Sequence, residues 1–209
     1  LGYSSGLRRG PRKLSGDHRL MHSIIDKLAK VQTRVRAAAL DAERPAAQIQ
    51  LLAVGKRKSA AALRQAYDAG QRHFGESYLQ EALDKQRQLT GLAIQWHFIG
   101  QLQSNKTRAI AENFDWVHSV DRLKIAERLS AQRPQSLAPL NICLQVNVDA
   151  EADKAGIDFA ELPTLAAQVA ELPGLQLRGL MAIPAPRTGF EAQRASLLRV
   201  RDALTALRQ

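Results

Sequence analysis

Short apolar runs alternate with amphipathic helical patterns along this chain of 209 residues, and this alternation is what most restricts its fold. The starts of the predicted strands lie roughly 20 to 35 residues apart, which is suitable for βα units. Strands that alternate with helices form parallel sheets, because a parallel partner is reached only through a crossover connection. The sequence therefore predicts an α/β fold. The predicted strands span residues 49–55, 72–76, 94–100, 115–120, 140–148 and 175–183.

Two architectures fit this alternation, an open doubly wound sheet and a (β/α) barrel. No Gly-x-Gly-x-x-Gly or Walker-type loop follows the first predicted strand, so the main signature of nucleotide-binding open sheets is missing. A chain of this length is sufficient for one α/β barrel domain. A closed barrel needs eight βα units. The sequence therefore predicts an incomplete TIM-type barrel, with about six of the eight units present.

The amino-terminal segment differs in composition from the rest of the chain. It is rich in Gly, Ser and Arg and has no apolar periodicity and no h-region of a secretory signal. We expect residues 1–20 to be a disordered, non-native leader and residues 21–209 to form the partial barrel, with a first helix from Met21. Part of the net charge of +10 lies in this leader, so basicity is weak evidence for a nucleic-acid partner.

Composition argues against several other classes of protein. Cys143 is the single cysteine and lies in an apolar run, so it is read as a core residue in a reducing, cytoplasmic compartment. The chain also lacks cysteine–histidine spacings typical of metal sites. No apolar stretch approaches the ~18 residues of a membrane span. Aromatic and basic residues are not interleaved as in nucleic-acid binders. We expect no metal, no membrane and no nucleic-acid partner.

A lysine stands at the exit of the first predicted strand. Gly55 breaks the apolar run, Lys56 follows, and Ser59 can cap the next helix. The carboxyl end of a core strand, beside a helix N-terminus, is where α/β folds build their sites. The helix N-terminus and the charges of Arg57 and Lys58 favour loss of a proton from the amine, which a nucleophilic lysine requires. Lys58 is the rival nucleophile but lies farther beyond the strand.

Four segments carry distinctive motifs: LLAVGKRK at 51–58, FGESYLQE at 74–81, WHFIGQLQSNK at 96–106 and LRGLMAIP at 177–184. These motifs resemble one known family, the YggS/PROSC family of pyridoxal phosphate homeostasis proteins, and the resemblance runs from about residue 22 to the end of the chain. It implies a single-domain barrel similar to the N-terminal domain of alanine racemase, which binds pyridoxal 5′-phosphate as a Schiff base, a role that falls on Lys56. It also implies a non-catalytic monomer that holds the cofactor and hands it to PLP-dependent apo-enzymes.

Three further residues are candidate cofactor contacts. Ser77 stands at the end of the second strand, where the family usually has Asn, but a capping box with Gln80 explains it about as well. His97 lies between two aromatic residues, and a satisfied histidine inside the barrel is the favoured interpretation. Met181, near the carboxyl end of the sixth strand, packs either against the cofactor ring or within the core.

The chain also departs from the family pattern. Gly55 replaces a small hydroxyl residue, and Ser59 stands where proline is common; both leave Lys56 in place. Family members continue past Gln209 through two more strands that bind the cofactor phosphate. A phosphate is best bound by backbone N–H groups at a helix N-terminus or in a nest. We therefore expect a C-terminally truncated chain that carries the aldehyde-reactive half of the site without the phosphate half.

A catalytic protein of the alanine racemase type is the alternative function. Such enzymes add a C-terminal β-domain and use a tyrosine of the partner subunit as a second acid–base group. In this chain Tyr67 and Tyr78 lie in or next to predicted helices of the first third. The favoured function is therefore cofactor binding in intracellular vitamin B6 homeostasis, with pyridoxal phosphate held on Lys56.

Overall fold

One parallel sheet of six strands forms the centre of the molecule. The computed structural model describes residues 17–149 and 155–208, with side chains from residue 24 onward. Each strand pairs in parallel with the next one along the chain. The strands are β1 Ala53–Val54, β2 His73–Glu76, β3 Gln95–Phe98, β4 Trp116–Val120, β5 Leu140–Val146 and β6 Leu175–Ala182.

A helix precedes the first strand, and a helix follows each strand thereafter. A short 3-10 helix, Ala46–Gln48, connects the first helix to β1. The helices are α1 Asp17–Asp41, α2 Ala60–Asp68, α3 Leu79–Gln88, α4 Thr107–Asn113, α5 Leu123–Gln132, α6 Leu162–Ala170 and α7 Phe190–Ala206.

The strand order decides between the two predicted architectures. The strands lie in the sheet in the order of the sequence, from β1 at one edge to β6 at the other. A doubly wound sheet reverses its winding at a switch point, whereas a (β/α) barrel adds each strand on the same side of the last one. The predicted barrel-type α/β fold is therefore confirmed. Among the described residues, the two edge strands are not paired with each other.

The hydrophobic core lies between the sheet and the helices. Val117, Ile142 and Ile125 are fully buried there, and the rings of Phe98 and Phe114 meet edge to face with centroids 5.3 Å apart. Successive side chains of a strand point to opposite faces of the sheet. The strand residues that do not face this core therefore line the interior of the barrel.

The predicted local signals near the first strand have mixed outcomes. Ser59 caps α2, since its Oγ accepts a hydrogen bond from the N–H of Ala62 at 3.2 Å, and Gly70 follows the helix end with φ +97°. The sequence predicts Ser59 as the N-cap of this helix and Gly70 as its C-terminal cap, and both predictions are confirmed. The first strand is shorter than predicted, since only Ala53–Val54 of residues 49–55 pair with β2 as a strand. Helix α1 begins at Asp17 rather than Met21, and residues 1–16 of the predicted leader lie outside the described residues.

The sequence also predicts that helices begin at Ser77, Ser104 and Asp121, and all three predictions are wrong. The capping box of Ser77 does not form, because Tyr78 is the N-cap of α3 and the backbone of Ser77 packs against Gly100. Asp121 does not cap α5, since its carboxylate pairs with the neighbouring Arg122 at 2.6 Å. Ser104 precedes α4 by a turn instead of opening it.

Candidate functional site

A tight turn carries Lys56 at the carboxyl end of β1. The N–H of Gly55 donates to the carbonyl of Gly75 at 2.8 Å, which extends the pairing of β1 with β2 by one residue. The N–H of Lys58 then donates to the carbonyl of Gly55 at 2.9 Å and closes the turn. Arg57 has φ +60°, and a type II turn requires a positive φ at this third position. Lys56 is therefore the second residue of a defined turn.

The Lys56 side chain is exposed. Among the described residues it has no hydrogen-bond or ion-pair partner. Lys56 follows the carboxyl end of β1, whose Val54 pairs with Gly75 of β2. The carboxyl ends of the strands form the mouth of a (β/α) barrel, so the turn that carries Lys56 lies at that end. The rival Lys58 instead lines a groove between β1, α1 and α2 on the outside of the sheet.

A buried cluster of three charged side chains lies directly beneath this turn. The Nζ of Lys85 donates to Glu76 Oε1 at 2.8 Å, to Glu81 Oε1 at 2.6 Å and to the carbonyl oxygen of Gly55 at 2.7 Å. Lys85 is only 3% exposed, and Glu76 is fully buried. Three acceptors match the three N–H donors of an ammonium group. We call these three residues the Lys85 cluster.

The two carboxyl groups of the Lys85 cluster differ in their electrostatics. The hydrogen bond from Lys85 lowers the pKa of Glu81, which also accepts a hydrogen bond from the N–H of Arg57 at 2.6 Å. Burial raises the pKa of Glu76, and Lys85 opposes that shift. A Cβ at Gly55 would lie 2.3 Å from Glu76 Oε1, so glycine leaves the room that this carboxyl group occupies.

A second polar cluster lines the barrel interior. His73, His97 and His118, which we call the histidine row, come from β2, β3 and β4. His97 shares a hydrogen bond with His73 at 3.0 Å on one ring nitrogen and with His118 at 2.8 Å on the other. Burial, together with the two neighbouring histidines, lowers the pKa of His97 to about 3. Trp116 stacks on His97 with ring centroids 5.4 Å apart. His97 therefore joins the row as a neutral imidazole.

The structure places the other candidate residues at different points of the sheet. Both ring nitrogens of His97 are engaged, which supports its interpretation as a satisfied interior histidine. Ser77 follows β2 and, with Gly100 and Lys106, lines a cavity of about 460 Å³ beside the ends of β2 and β3. Met181 alternates in β6 with core residues, which leaves it on the interior face, and β6 is the edge strand opposite β1.

Sequence reasoning missed the Lys85 cluster and two members of the histidine row. A signal was present for the cluster, because Glu76 ends a strand whose other residues suit burial, and a buried carboxylate needs a partner. The row also had a signal, since its members recur about one βα unit apart.

In the described part of the chain no three His, Cys, Asp or Glu side chains are grouped to hold a metal ion. No described helix is long and apolar enough to cross a bilayer.

Comparison with known sequences assigns the family. The family model for the alanine racemase N-terminal domain matches residues 27–209. The pyridoxal phosphate homeostasis protein of Pseudomonas aeruginosa is 58% identical over 187 residues, covering 90% of this chain and 81% of the relative. That of Escherichia coli K12 is 53% identical over 176 residues, covering 83% and 75%.

Solved structures agree with this assignment. PipY of Synechococcus elongatus, solved with PLP bound, superposes with a TM-score of 0.69 at 43% identity and covers 83% of this chain and 81% of its own. Alanine racemase of Corynebacterium glutamicum shares the fold, with a TM-score of 0.61 at 14% identity, over 92% of this chain and 48% of its own. The fold and the matching family model define an alanine racemase N-terminal domain. Within that class, the chain belongs to the family of pyridoxal phosphate homeostasis proteins.

Proposed function

We propose that this chain binds pyridoxal 5′-phosphate covalently through Lys56 and serves intracellular vitamin B6 homeostasis. The observation that carries the proposal is the exposed Lys56 amine, which has no partner among the described residues and stands at the carboxyl end of β1. The fold around it is shared with a relative solved with PLP bound. Since barrels place their sites at this end of the strands, the position of the amine supports the proposal.

The residues present fit an aldehyde cofactor. When bound, pyridoxal phosphate would supply an aldehyde, which is an electrophile suited to a nucleophilic lysine amine. Lys56 supplies that amine, and Lys58 is turned to the outer groove. We propose Ser77 and Met181 as further contacts. His97 shapes the barrel interior, because its two ring nitrogens are committed to other histidines.

The protein is proposed to carry the cofactor without turning over a substrate of its own. Its relatives in Pseudomonas and Escherichia are named homeostasis proteins rather than enzymes, which supports this proposal. PLP-dependent apo-enzymes would receive the cofactor in the cytoplasm from a monomeric carrier. Alanine racemisation in the presence of added pyridoxal phosphate tests this part of the proposal; a sustained rate that Lys56→Ala abolishes would overturn it.

Retention of the cofactor through gel filtration tests the binding proposal itself. The parent chain, Lys56→Ala and the matched control Lys58→Ala are each mixed with pyridoxal phosphate, and the cofactor that elutes with protein is measured. We expect the parent and Lys58→Ala to retain it and Lys56→Ala to lose it. Equal retention by Lys56→Ala, or loss only in Lys58→Ala, would refute the assignment of Lys56.

A further inference from the structure

We infer that the Lys85 cluster is a positioning device that holds the turn of residues 55–58 and thereby presents the Lys56 amine to the cofactor. The inference rests on the proposed function of Lys56. It assigns to Glu76, Glu81 and Lys85 a role that no motif of the sequence indicates. None of the three is proposed to touch the cofactor; each acts through the backbone that carries Lys56.

The contacts of the cluster lie on both sides of Lys56. On one side, Lys85 Nζ donates to the carbonyl oxygen of Gly55 at 2.7 Å. On the other side, Glu81 Oε1 accepts the N–H of Arg57 at 2.6 Å. The same Glu81 oxygen also accepts from Lys85, so the two contacts are joined through one carboxylate. Lys56 is therefore bracketed by two backbone groups that one ionic cluster fixes.

The turn needs such support because its geometry is unfavourable by itself. Arg57 has φ +60°, in the left-handed region that non-glycine residues rarely adopt. Strained residues of this kind persist only where the surrounding structure determines them, and they gather at functional sites. The hydrogen bond from the Arg57 N–H to Glu81 holds that conformation in place. The strain and the contact that maintains it fall on the residue next to Lys56.

The burial of the cluster also favours positioning over simple stabilisation. Lys85 is 3% exposed and Glu76 fully buried, and buried ion pairs contribute little net stability relative to well-packed apolar residues. Buried ion pairs act more on which conformation of the chain is populated than on its net stability. Here the arrangement that satisfies Lys85 requires the carbonyl of Gly55 as its third acceptor. The turn and the cluster therefore specify each other.

Glu81 is the residue through which the inference is best tested. Its side chain is 30% exposed, so Glu81→Ala leaves no fully buried cavity. Glu81→Gln keeps an oxygen that accepts from the Arg57 N–H and from Lys85. Asp84→Ala is the matched control, because Asp84 is an acidic residue of the same helix that pairs with Arg87 instead. All variants are compared with the parent chain.

Two measurements are made on each protein. Amide hydrogen exchange at Arg57, followed by NMR without cofactor, reports the turn itself. We expect exchange about tenfold faster in Glu81→Ala, with the parent rate largely restored in Glu81→Gln and unchanged in Asp84→Ala. Pyridoxal phosphate retained through gel filtration reports the presentation of Lys56. We expect Glu81→Ala to retain the least cofactor, Glu81→Gln to retain nearly as much as the parent, and Asp84→Ala to retain as much as the parent. A general loss of stability would not be rescued selectively by Glu81→Gln.

The outcomes separate the inference from the function on which it rests. Equal Arg57 exchange in Glu81→Ala and Asp84→Ala would overturn the inference whatever the cofactor does. Faster exchange with unchanged retention would overturn it as well, because loosening the turn would then have no consequence for the cofactor bound by Lys56. If the parent itself retains no pyridoxal phosphate, the proposed function fails instead, and the exchange data still report whether Glu81 holds the turn.

Discussion

Two lysines meet at one turn, and their surroundings are opposite: Lys56 is the second residue of the turn, and Lys85 lies beneath it. Lys56 is exposed and has no partner among the described residues. Lys85 is 3% exposed, and its amine is saturated by Glu76, Glu81 and the carbonyl of Gly55. The difference shows how one residue type serves as a reactive group in one place and as a structural group in the other.

The contrast also separates two requirements of a lysine that forms a covalent bond. The amine must be free to react, so it cannot be engaged in hydrogen bonds or ion pairs with other groups of the protein. Its backbone must nevertheless be held, because a mobile nucleophile loses the advantage of orientation. Here the second requirement is met by the neighbouring residues of the turn and by Lys85 beneath it.

Removal of the buried amine is expected to have the largest effect. Lys85→Met leaves the buried Glu76 carboxyl group and the partly exposed Glu81 carboxyl group without their partner, and the free energy of unfolding should fall by about 3–5 kcal/mol. The control Lys56→Met should change it by less than about 0.5 kcal/mol, because that side chain is exposed. Urea unfolding of the two variants measures the difference. Equal stabilities would contradict the contrast between the two lysines.

The histidine row extends the comparison to a buried group, His97, that is neutral. Because the pKa of His97 is lowered to about 3, the unfolded chain binds a proton below pH 6.5 that the folded chain does not. The free energy of unfolding should therefore fall as the pH falls from about 6.5 toward 3, by up to about 1.4 kcal/mol per pH unit from His97. Burial lowers the pKa of His73 and His118 too, which adds in the same direction.

Imidazole NMR assigns this pH dependence to its source. Glu76, whose pKa burial raises, contributes with the opposite sign, so a stability curve alone would not identify His97. The resonances of His97 should stay at their neutral positions from pH 8 to about pH 5. If His97 instead titrates near pH 6.5, its imidazole gains a proton in the folded protein, and the description of His97 as neutral would be refuted.

Gly55→Ala tests the space shared by the turn and the Lys85 cluster. The new Cβ would lie 2.3 Å from Glu76 Oε1, so the carboxyl group must move away from Lys85. Overpacking of this kind costs about 1–3 kcal/mol. We expect both a lower unfolding midpoint and weaker retention of pyridoxal phosphate. A variant with parent stability and parent retention would mean that the cluster tolerates a displaced Glu76 and does not hold the turn.

Ser59→Ala should have the smallest effect and should separate helix stability from cofactor binding. Ser59 Oγ accepts from the N–H of Ala62 at 3.2 Å, and loss of an N-cap costs about 1 kcal/mol. Because the cap lies beyond the turn, retention of pyridoxal phosphate should not change. Thermal unfolding together with gel filtration checks both expectations; a large loss of retention would extend the site into the N-terminus of α2.

The sequence was sufficient to predict the parts of this molecule that depend on local pattern. The βα alternation predicted a parallel barrel, and the position of Lys56 at a strand exit made it the candidate amine. Ser59 and Gly70 were correctly assigned as helix ends. These features are set by residues within a few positions of one another, where periodicity and capping chemistry apply directly.

The Lys85 cluster could not be predicted in the same way. Glu81 and Lys85 are four residues apart on α3, the spacing of an exposed surface pair, and nothing local shows that this face is buried. Their third partner, Glu76, comes from β2, and the cluster forms only when α3 packs over the turn after β1. Ser77 failed as a cap for a related reason, because its backbone is fixed against Gly100 of the next strand end.

Mapping the covalently modified residue tests the central claim most directly. The parent chain is mixed with pyridoxal phosphate and reduced with borohydride, and the modified peptide is sequenced by tandem mass spectrometry. The division of roles between the two lysines predicts modification of Lys56, with Lys58 and Lys85 unmodified. Modification of Lys58 or Lys85 in preference to Lys56, or a chain that takes up no cofactor, would contradict it.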